Sequence, residues 1–251
     1  MTQKAHHIYE EIQSRFLDLL EKYQIDTGEM ILTRKGLSPE EAIGITERKD
    51  YPILTGMEIM LQAVYKGSFG QAFTDAPSEF HGSLADILKM DLCRDAHARG
   101  LYFAAMNAVL KHLGLIGHTV HCRTKEPAEC APKYIKWMKQ QYSAKKIALI
   151  GYQPSLFQTL SDDPDLTVRC LDLNPDNVGQ IRFGVKVEHG INDYSDAVLD
   201  WADLVLCTSS VFANATMDYY IAIDKPVLFF GITGAAPIYL LGLNRYCPLS
   251  Q

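Results

Sequence analysis

Between Ile147 and Phe230 the chain repeats one rhythm, and that rhythm limits the folds open to it. Short apolar runs (Ile147 to Ile150, Val168 to Leu173, Leu204 to Cys207, Val227 to Phe230) alternate with stretches of helical length. The helical stretches begin near Ser155, span Tyr194 to Trp201, and run from about Ala213 to Ile223. Strands that alternate with helices make a parallel sheet with crossover connections. Near-continuous apolarity in the strands means that both faces of that sheet are covered. The second half is therefore expected to be a Rossmann-like α/β unit.

The first half has a different pattern. Tyr9, Ile12, Phe16, Leu19, Leu20 and Tyr23 recur at three- and four-residue spacing, which predicts an amphipathic opening helix. A strand is expected over Met30 to Thr33 and a short helix after Ser38-Pro39. Met57 to Tyr65 and Phe69 to Thr74 read as two strands of a hairpin turning at Lys66-Gly67-Ser68. Asp75-Ala76-Pro77 is loop, Ser83 caps a helix over Leu84 to Met90, and Ala-rich Leu101 to Leu113 is a closely packed helix. A Lys-bearing helix from about Pro127 to Tyr142 joins the halves. The expected division is a small α+β domain at 1–125 and an α/β domain at 126–251.

Composition excludes several classes. At 251 residues and 47% hydrophobic content the chain can bury a large core without disulfide staples. The net charge of −6 carries no electrostatic footprint for nucleic acid, and the lysines of 127–142 read as a solvated face. Residues 151–251 hold 5 Lys or Arg against 12 Asp or Glu, so the acidity is concentrated there. The run Pro226 to Leu243 is long enough to raise a membrane span, but two prolines and three glycines break it. It reads as a strand, a turn and a short helix. Without an apolar leader at residues 1–11, the expected compartment is the cytoplasm, with six reduced cysteines.

In open parallel sheets ligands bind beyond the carboxyl ends of the strands. That rule singles out Gly151, Tyr152 and Gln153 after the first strand, and Asp172 and Asn174 at the second. It adds Thr208, Ser209, Ser210 and Asn214 after the third strand, and Thr233 and Gly234 after the fourth. Small and hydroxyl residues there let backbone N–H groups approach a polar ligand, although tight turns use the same residues. Neither G-x-G-x-x-G after Ile150 nor G-x-x-x-x-G-K-[ST] is present, which argues against a conventional NAD or ATP site.

A second candidate is His118-Thr119-Val120-His121-Cys122 with Glu129-Cys130. Thiolate and imidazole are donors that borderline and soft metals prefer. His121, Cys122 and Cys130 supply three ligands, with His118 or Glu129 as a fourth. In an extended segment His121 and Cys122 point to opposite sides, so one ion can take both only if the backbone turns. Cys170 and Cys207 read as core residues, Cys93 lacks an evident partner, and Cys247 is close enough to the chain's end to fold back on the crevice. Asp75, Glu79 and His81 offer acid–base groups, or merely turn chemistry.

Several segments resemble a known family in order along nearly the whole chain. They are Gly70-Gln71-Ala72-Phe73-Thr74-Asp75-Ala76-Pro77, Asn107-Ala108-Val109, Thr119-Val120-His121-Cys122 and Glu129-Cys130. Ile150-Gly151-Tyr152-Gln153-Pro154, Ala202-Asp203, Asn214-Ala215-Thr216 and the loop near Gly231 continue the series. Together they resemble the putative heavy-metal chelation family. The resemblance implies an enolase-N-terminal-like first domain and a Rossmann-like second one. It favours His121, Cys122 and Cys130 as the place of a transition-metal ion, and the crevice loops as a ligand site. The expected function is metal binding or chelation in a crevice between the domains. The alternative is an enzyme or sensor holding a small anionic or nucleotide-like ligand at the strand ends. A third reading is a structural subunit of a homo-oligomer.

Overall fold

The computed structural model describes all residues except 34, 35, 56 and 57. The chain opens with α1 (Gln3–Lys22), β1 (Met30–Thr33) and α2 (Pro39–Ile43). Next come β2 (Ile59–Tyr65), β3 (Ser68–Thr74), β4 (Phe80–Ser83), α3 (Leu84–Leu88) and α4 (Ala96–His112). The connecting helix is α5 (Glu126–Gln141), followed by β5 (Lys146–Ile150), α6 (Pro154–Asp162) and β6 (Thr167–Asp172). A hairpin of β7 (Ile181–Arg182) and β8 (Val185–His189) precedes β9 (Leu204–Thr208), β10 (Val227–Phe230) and α7 (Ala235–Leu240).

The first four strands form an antiparallel sheet ordered β3-β2-β1-β4. The expected start of its second strand, Met57, lies outside the described residues. The other six form a sheet ordered β10-β9-β5-β6-β8-β7, parallel except for the β7–β8 hairpin. The molecule is thus a mixed α/β protein, as the strand rhythm requires.

Alternation along the parallel strands covers both faces. Ile147, Leu149, Val168, Cys170, Leu204 and Leu206 pack with Tyr134, Ile135 and Met138 of α5 and Leu156, Phe157 and Leu160 of α6. Ala148, Ile150, Leu171, Val205 and Cys207 face the other way, into a core shared with α1 and α4. Cys170 and Cys207 are buried core residues, and all six cysteines are free thiols. Pro226 to Leu243 contains β10, a turn and α7, and no helix among the described residues is long and apolar enough to cross a membrane.

Close approach explains why α4 is rich in small residues. A Cβ on Gly70 of β3 would lie 2.2 Å from the Ala104 carbonyl oxygen and 2.3 Å from the Ala108 nitrogen. Only glycine lets the strand rest directly on the helix backbone. Beside it, fully buried Asn107 donates through Nδ2 to the carbonyls of Gln71, Ile232 and Thr233 and accepts the Ala236 amide on Oδ1. One side chain thus ties β3 and α4 to the chain entering α7.

The expected helix over 213–223 is not formed. One short 3-10 segment, Met217–Tyr219, lies within that span, and another, Ser209–Phe212, precedes it. Asn214 Oδ1 accepts both the amide and the hydroxyl of Thr216, and Ala215 takes φ 61°. A side chain that bonds the local backbone in this way competes with helix formation. Tyr194 to Trp201 does form a helical segment, with π-helical bonding over Ser195–Trp201. The hairpin β7–β8 and strand β4 were not expected from the sequence.

Candidate functional site

Counting only the parallel strands in chain order, β5 is first, and the order reverses beside it: β9 lies on one side and β6 on the other. A crevice opens outside the carboxyl ends of strands at such a reversal. Gly151 ends β5 at φ 87°, where a Cβ would come within 2.7 Å of the Thr208 Cγ2 at the end of β9. Asp172 ends β6 and closes the neighbouring turn. Its carboxylate accepts the Tyr152 amide at 2.5 Å and the Asn174 amide at 2.6 Å.

Two chambers meet here, sharing Glu58, Phe73, Gly151, Asp172, Thr208 and Ser210 as a common wall. The first, of about 150 Å³, is aromatic and thiol-lined, with Tyr51, Tyr134, Tyr152, Phe230 and Tyr246 around Cys122, Cys130 and Cys247. The second, of about 330 Å³, is bordered by Asp75, Asn174, Asn214, Thr216, Tyr219 and Tyr220. Among the described residues, neither chamber has a lysine or arginine in its lining.

The sequence-predicted crevice residues divide into two groups. Gly151, Tyr152, Gln153, Asp172, Asn174, Thr208, Ser210 and Asn214 all line a chamber. Several also hold their own loops: Gln153 Oε1 accepts the Leu156 amide at the start of α6, and Asn174 Oδ1 accepts the Asp176 amide. Ser209, Thr233 and Gly234 are absent from both linings and sit behind them. Ser209 is fully buried, Thr233 Oγ1 accepts the Phe73 amide, and a Cβ on Gly234 would strike Phe212 at 2.7 Å. Of the trio Asp75, Glu79 and His81, only Asp75 reaches the crevice.

Glu58 is the residue the sequence reading missed. Lying just before β2, it carries no local motif. Its carboxyl has no hydrogen-bond partner among the described residues, and it is pushed up to about 7 by burial, then by the carboxylates of Asp172 and Asp75. A half-buried acid with two acidic neighbours releases its proton reluctantly. The spatial meeting of 58, 75 and 172 has no sequence counterpart.

The thiol chamber is assembled by the last residues of the chain. Thr119 and Val120 amides donate to the Gln251 carbonyl, and the Gln251 amide returns to Val120. Arg245 donates to the carbonyls of His118 and Gly231. Tyr246 stacks on Trp137 with ring centroids 4.0 Å apart. These contacts set Cys247 beside Cys122 and Cys130, as the reading of Cys247 folding back anticipates. Burial pushes the Cys122 thiol up, with the other two thiols adding to it, and raises Cys130 to about 11.

His121 and Cys122 both line this chamber, and the Cys122 Sγ lies 3.9 Å from the His121 Nδ1. That Nδ1 is engaged at 2.6 Å by the Cys122 carbonyl, and burial lowers the ring's proton affinity. The imidazole is neutral and its Nε2 is the nitrogen left for a ligand. The suggested fourth ligands do not join. His118 Nδ1 bonds the Ser250 carbonyl, and Glu129 pairs with Lys125.

The donor set has the chemistry for a soft or borderline metal, yet it does not converge. Among the described residues, the one group of three His, Cys, Asp or Glu ligand atoms mutually within 4.8 Å is His6, His7 and Glu10 on α1. His121, Cys122 and Cys130 therefore do not fit a preformed metal site, and the thiols would have to move to close on an ion.

Residues 135–240 match a protein family described as putative heavy-metal chelation, DUF364. A crystal structure of a Pyrococcus horikoshii protein of unknown function from that family superposes with a TM-score of 0.57. It is 17% identical, and the match covers 93% of this chain and 82% of that one. At that identity the likeness concerns the fold. No curated protein matches the chain in sequence.

Proposed function

With the segment 135–240 placed in the putative heavy-metal chelation family, we propose that the chain binds a small neutral or cationic organic ligand across the crevice. Its planar or apolar part sits in the aromatic thiol chamber and its polar part at Glu58, Asp75 and Asp172. The carrying observation is the shared wall: two chambers, one aromatic and one acidic, run into each other at the strand-order reversal. A bare ion needs no cavity of this size, whereas small-molecule sites are concave, mostly apolar and fixed by a few polar groups. The lining also bears on charge. Asp75 and Asp172, joined by Glu58 once it ionises near pH 7, favour a cation over an anion, so the nucleotide-like ligand expected from the strand ends is the less favoured chemistry.

The reading goes with a proposed division of the chain near residue 125. One unit would contribute Glu58, Phe73 and Asp75 to the crevice, and the other Gly151, Asp172 and Thr208.

One observation favours a second reading, direct capture of a soft metal: three thiols and a neutral imidazole line one chamber. Metal would then bind with loss of thiol protons and with movement of the thiols toward one another. The two readings separate in one experiment. Wild type and the triple variant Cys122→Ser/Cys130→Ser/Cys247→Ser are titrated with zinc and cadmium, and with a panel of amines and cationic or neutral heterocycles. Organic binding that survives the triple substitution supports the first reading. Binding of metal alone, abolished by it, replaces that reading with the second.

A further inference from the structure

We propose that His6, His7 and Glu10, on the first turns of α1, form a solvent-facing site for a borderline divalent transition-metal ion such as Zn²⁺, Ni²⁺ or Cu²⁺. None of the three lines the crevice, so the proposal does not rest on the function argued above.

The helix makes the juxtaposition. Residues three and four apart share one face, so Glu10 lies one turn beyond both adjacent histidines. The His7 Nδ1 is 3.1 Å from the Glu10 Oε2, and the His6 Nδ1 is 3.4 Å from the same oxygen. All three ligand atoms lie within 4.8 Å of one another. With metal–nitrogen and metal–oxygen bonds of about 2.1 Å, neighbouring ligand atoms sit roughly 3.0 Å apart in an octahedron and 3.4 Å in a tetrahedron. The two nitrogen–oxygen separations are already polyhedron edges.

Both rings already converge on one carboxylate oxygen. His7 Nδ1 bonds it, while the His6 Nδ1, sealed from water, stands 3.4 Å from it outside good hydrogen-bond geometry. A cation between the rings would take a lone pair from each nitrogen and a carboxylate oxygen. Imidazole and carboxylate donors without a thiol suit Zn²⁺, Ni²⁺ and Cu²⁺. The side chains are 44%, 66% and 56% exposed, so the remaining coordination positions open to water. Gln3 Nε2 lies 3.4 Å from the His7 Nε2. A metal on Nδ1 leaves a proton on Nε2, and a turned Gln3 amide would accept it and hold the ring.

The test uses the full chain, titrated with Zn²⁺ by calorimetry and with Co²⁺ by absorption. About one equivalent should bind in the Cys122→Ser/Cys130→Ser/Cys247→Ser background. Its Co²⁺ complex should show weak d–d bands and no thiolate-to-cobalt charge transfer. His6→Gln and His7→Gln should each weaken it by at least about tenfold, and together abolish it, with unchanged melting temperature of the metal-free chain. Unchanged affinity in the double variant, or no binding at millimolar Zn²⁺ in the thiol-free background, would overturn the proposal.

Discussion

The carboxylate of Asp172, at the end of β6, accepts the backbone N–H of Tyr152, just past the end of β5, at 2.5 Å. Its other oxygen accepts the Asn174 amide. One side chain therefore shapes two loops of the crevice while placing negative charge in it. Asp172→Ala leaves both amides without this partner and should destabilise the fold by about 1–3 kcal/mol in urea denaturation. Asp172→Asn keeps one good acceptor and should cost less. A loss for Asp172→Ala no greater than that of an ordinary surface substitution would show that the loops do not depend on it.

Glu58 makes the stability of the protein depend on pH. Its carboxyl rises from the ordinary 4.5 to about 7 in the fold. Between those values the native chain keeps a proton that the unfolded chain has released. Stability therefore falls as pH rises through about 4.5 to 7 and levels off above. The loss should be on the order of 1–3 kcal/mol. Glu58→Gln should remove most of that slope and be the more stable protein at pH 8. Denaturation midpoints of both proteins from pH 5 to 8 check this, and parallel curves would contradict it.

Asn107 should be intolerant of substitution. Asn107→Leu preserves approximate size but leaves the Ala236 amide and the carbonyls of Gln71, Ile232 and Thr233 without its hydrogen bonds in a buried site. Asn107→Asp removes the donors and buries a charge. Each should cost about 3 kcal/mol or more. A thermal shift of only a degree or two for both would mean that water takes over these bonds.

The strand rhythm made most of the parallel sheet legible, and the helical spacing of Tyr9, Ile12 and Phe16 gave α1. Two elements escaped for local reasons. The turn between β7 and β8 puts Phe183 at φ 50° and Gly184 at φ 76°, and β7 is only two residues long and exposed, too short for a strand pattern to register. The 213–223 stretch has helical length, but Asn214 bonds Thr216 and breaks it. The candidate crevice was half legible. The strand-end rule found Gly151, Asp172 and Thr208 because topology alone places them. It also swept in Ser209, Thr233 and Gly234, since a small residue behind the floor looks the same in sequence as one lining it. Glu58, Phe73 and Tyr134 arrive from distant parts of the chain, so no spacing could announce them.

The thiols of the aromatic chamber should be slow nucleophiles. Cys130, raised to about 11, is roughly one part in a thousand thiolate at pH 8, and burial raises Cys122 as well. Alkylation followed by mass spectrometry should show the Cys130 rate rising about tenfold per pH unit from 8 to 10. Rapid modification of Cys130 at pH 7 would show that the chamber does not shield it.

The most direct measurement is a thermal-shift series at pH 8 with matched cationic, neutral and anionic small aromatic compounds, on wild type and Glu58→Gln/Asp75→Asn. A ligand at about 100 times its dissociation constant adds about 2.7 kcal/mol of stability. Neutral or cationic members should stabilise the wild type, and the cationic preference should shrink in the double variant. Stabilisation by anions alone, to the same extent in both proteins, would contradict the assignment of the acidic wall as part of the binding site.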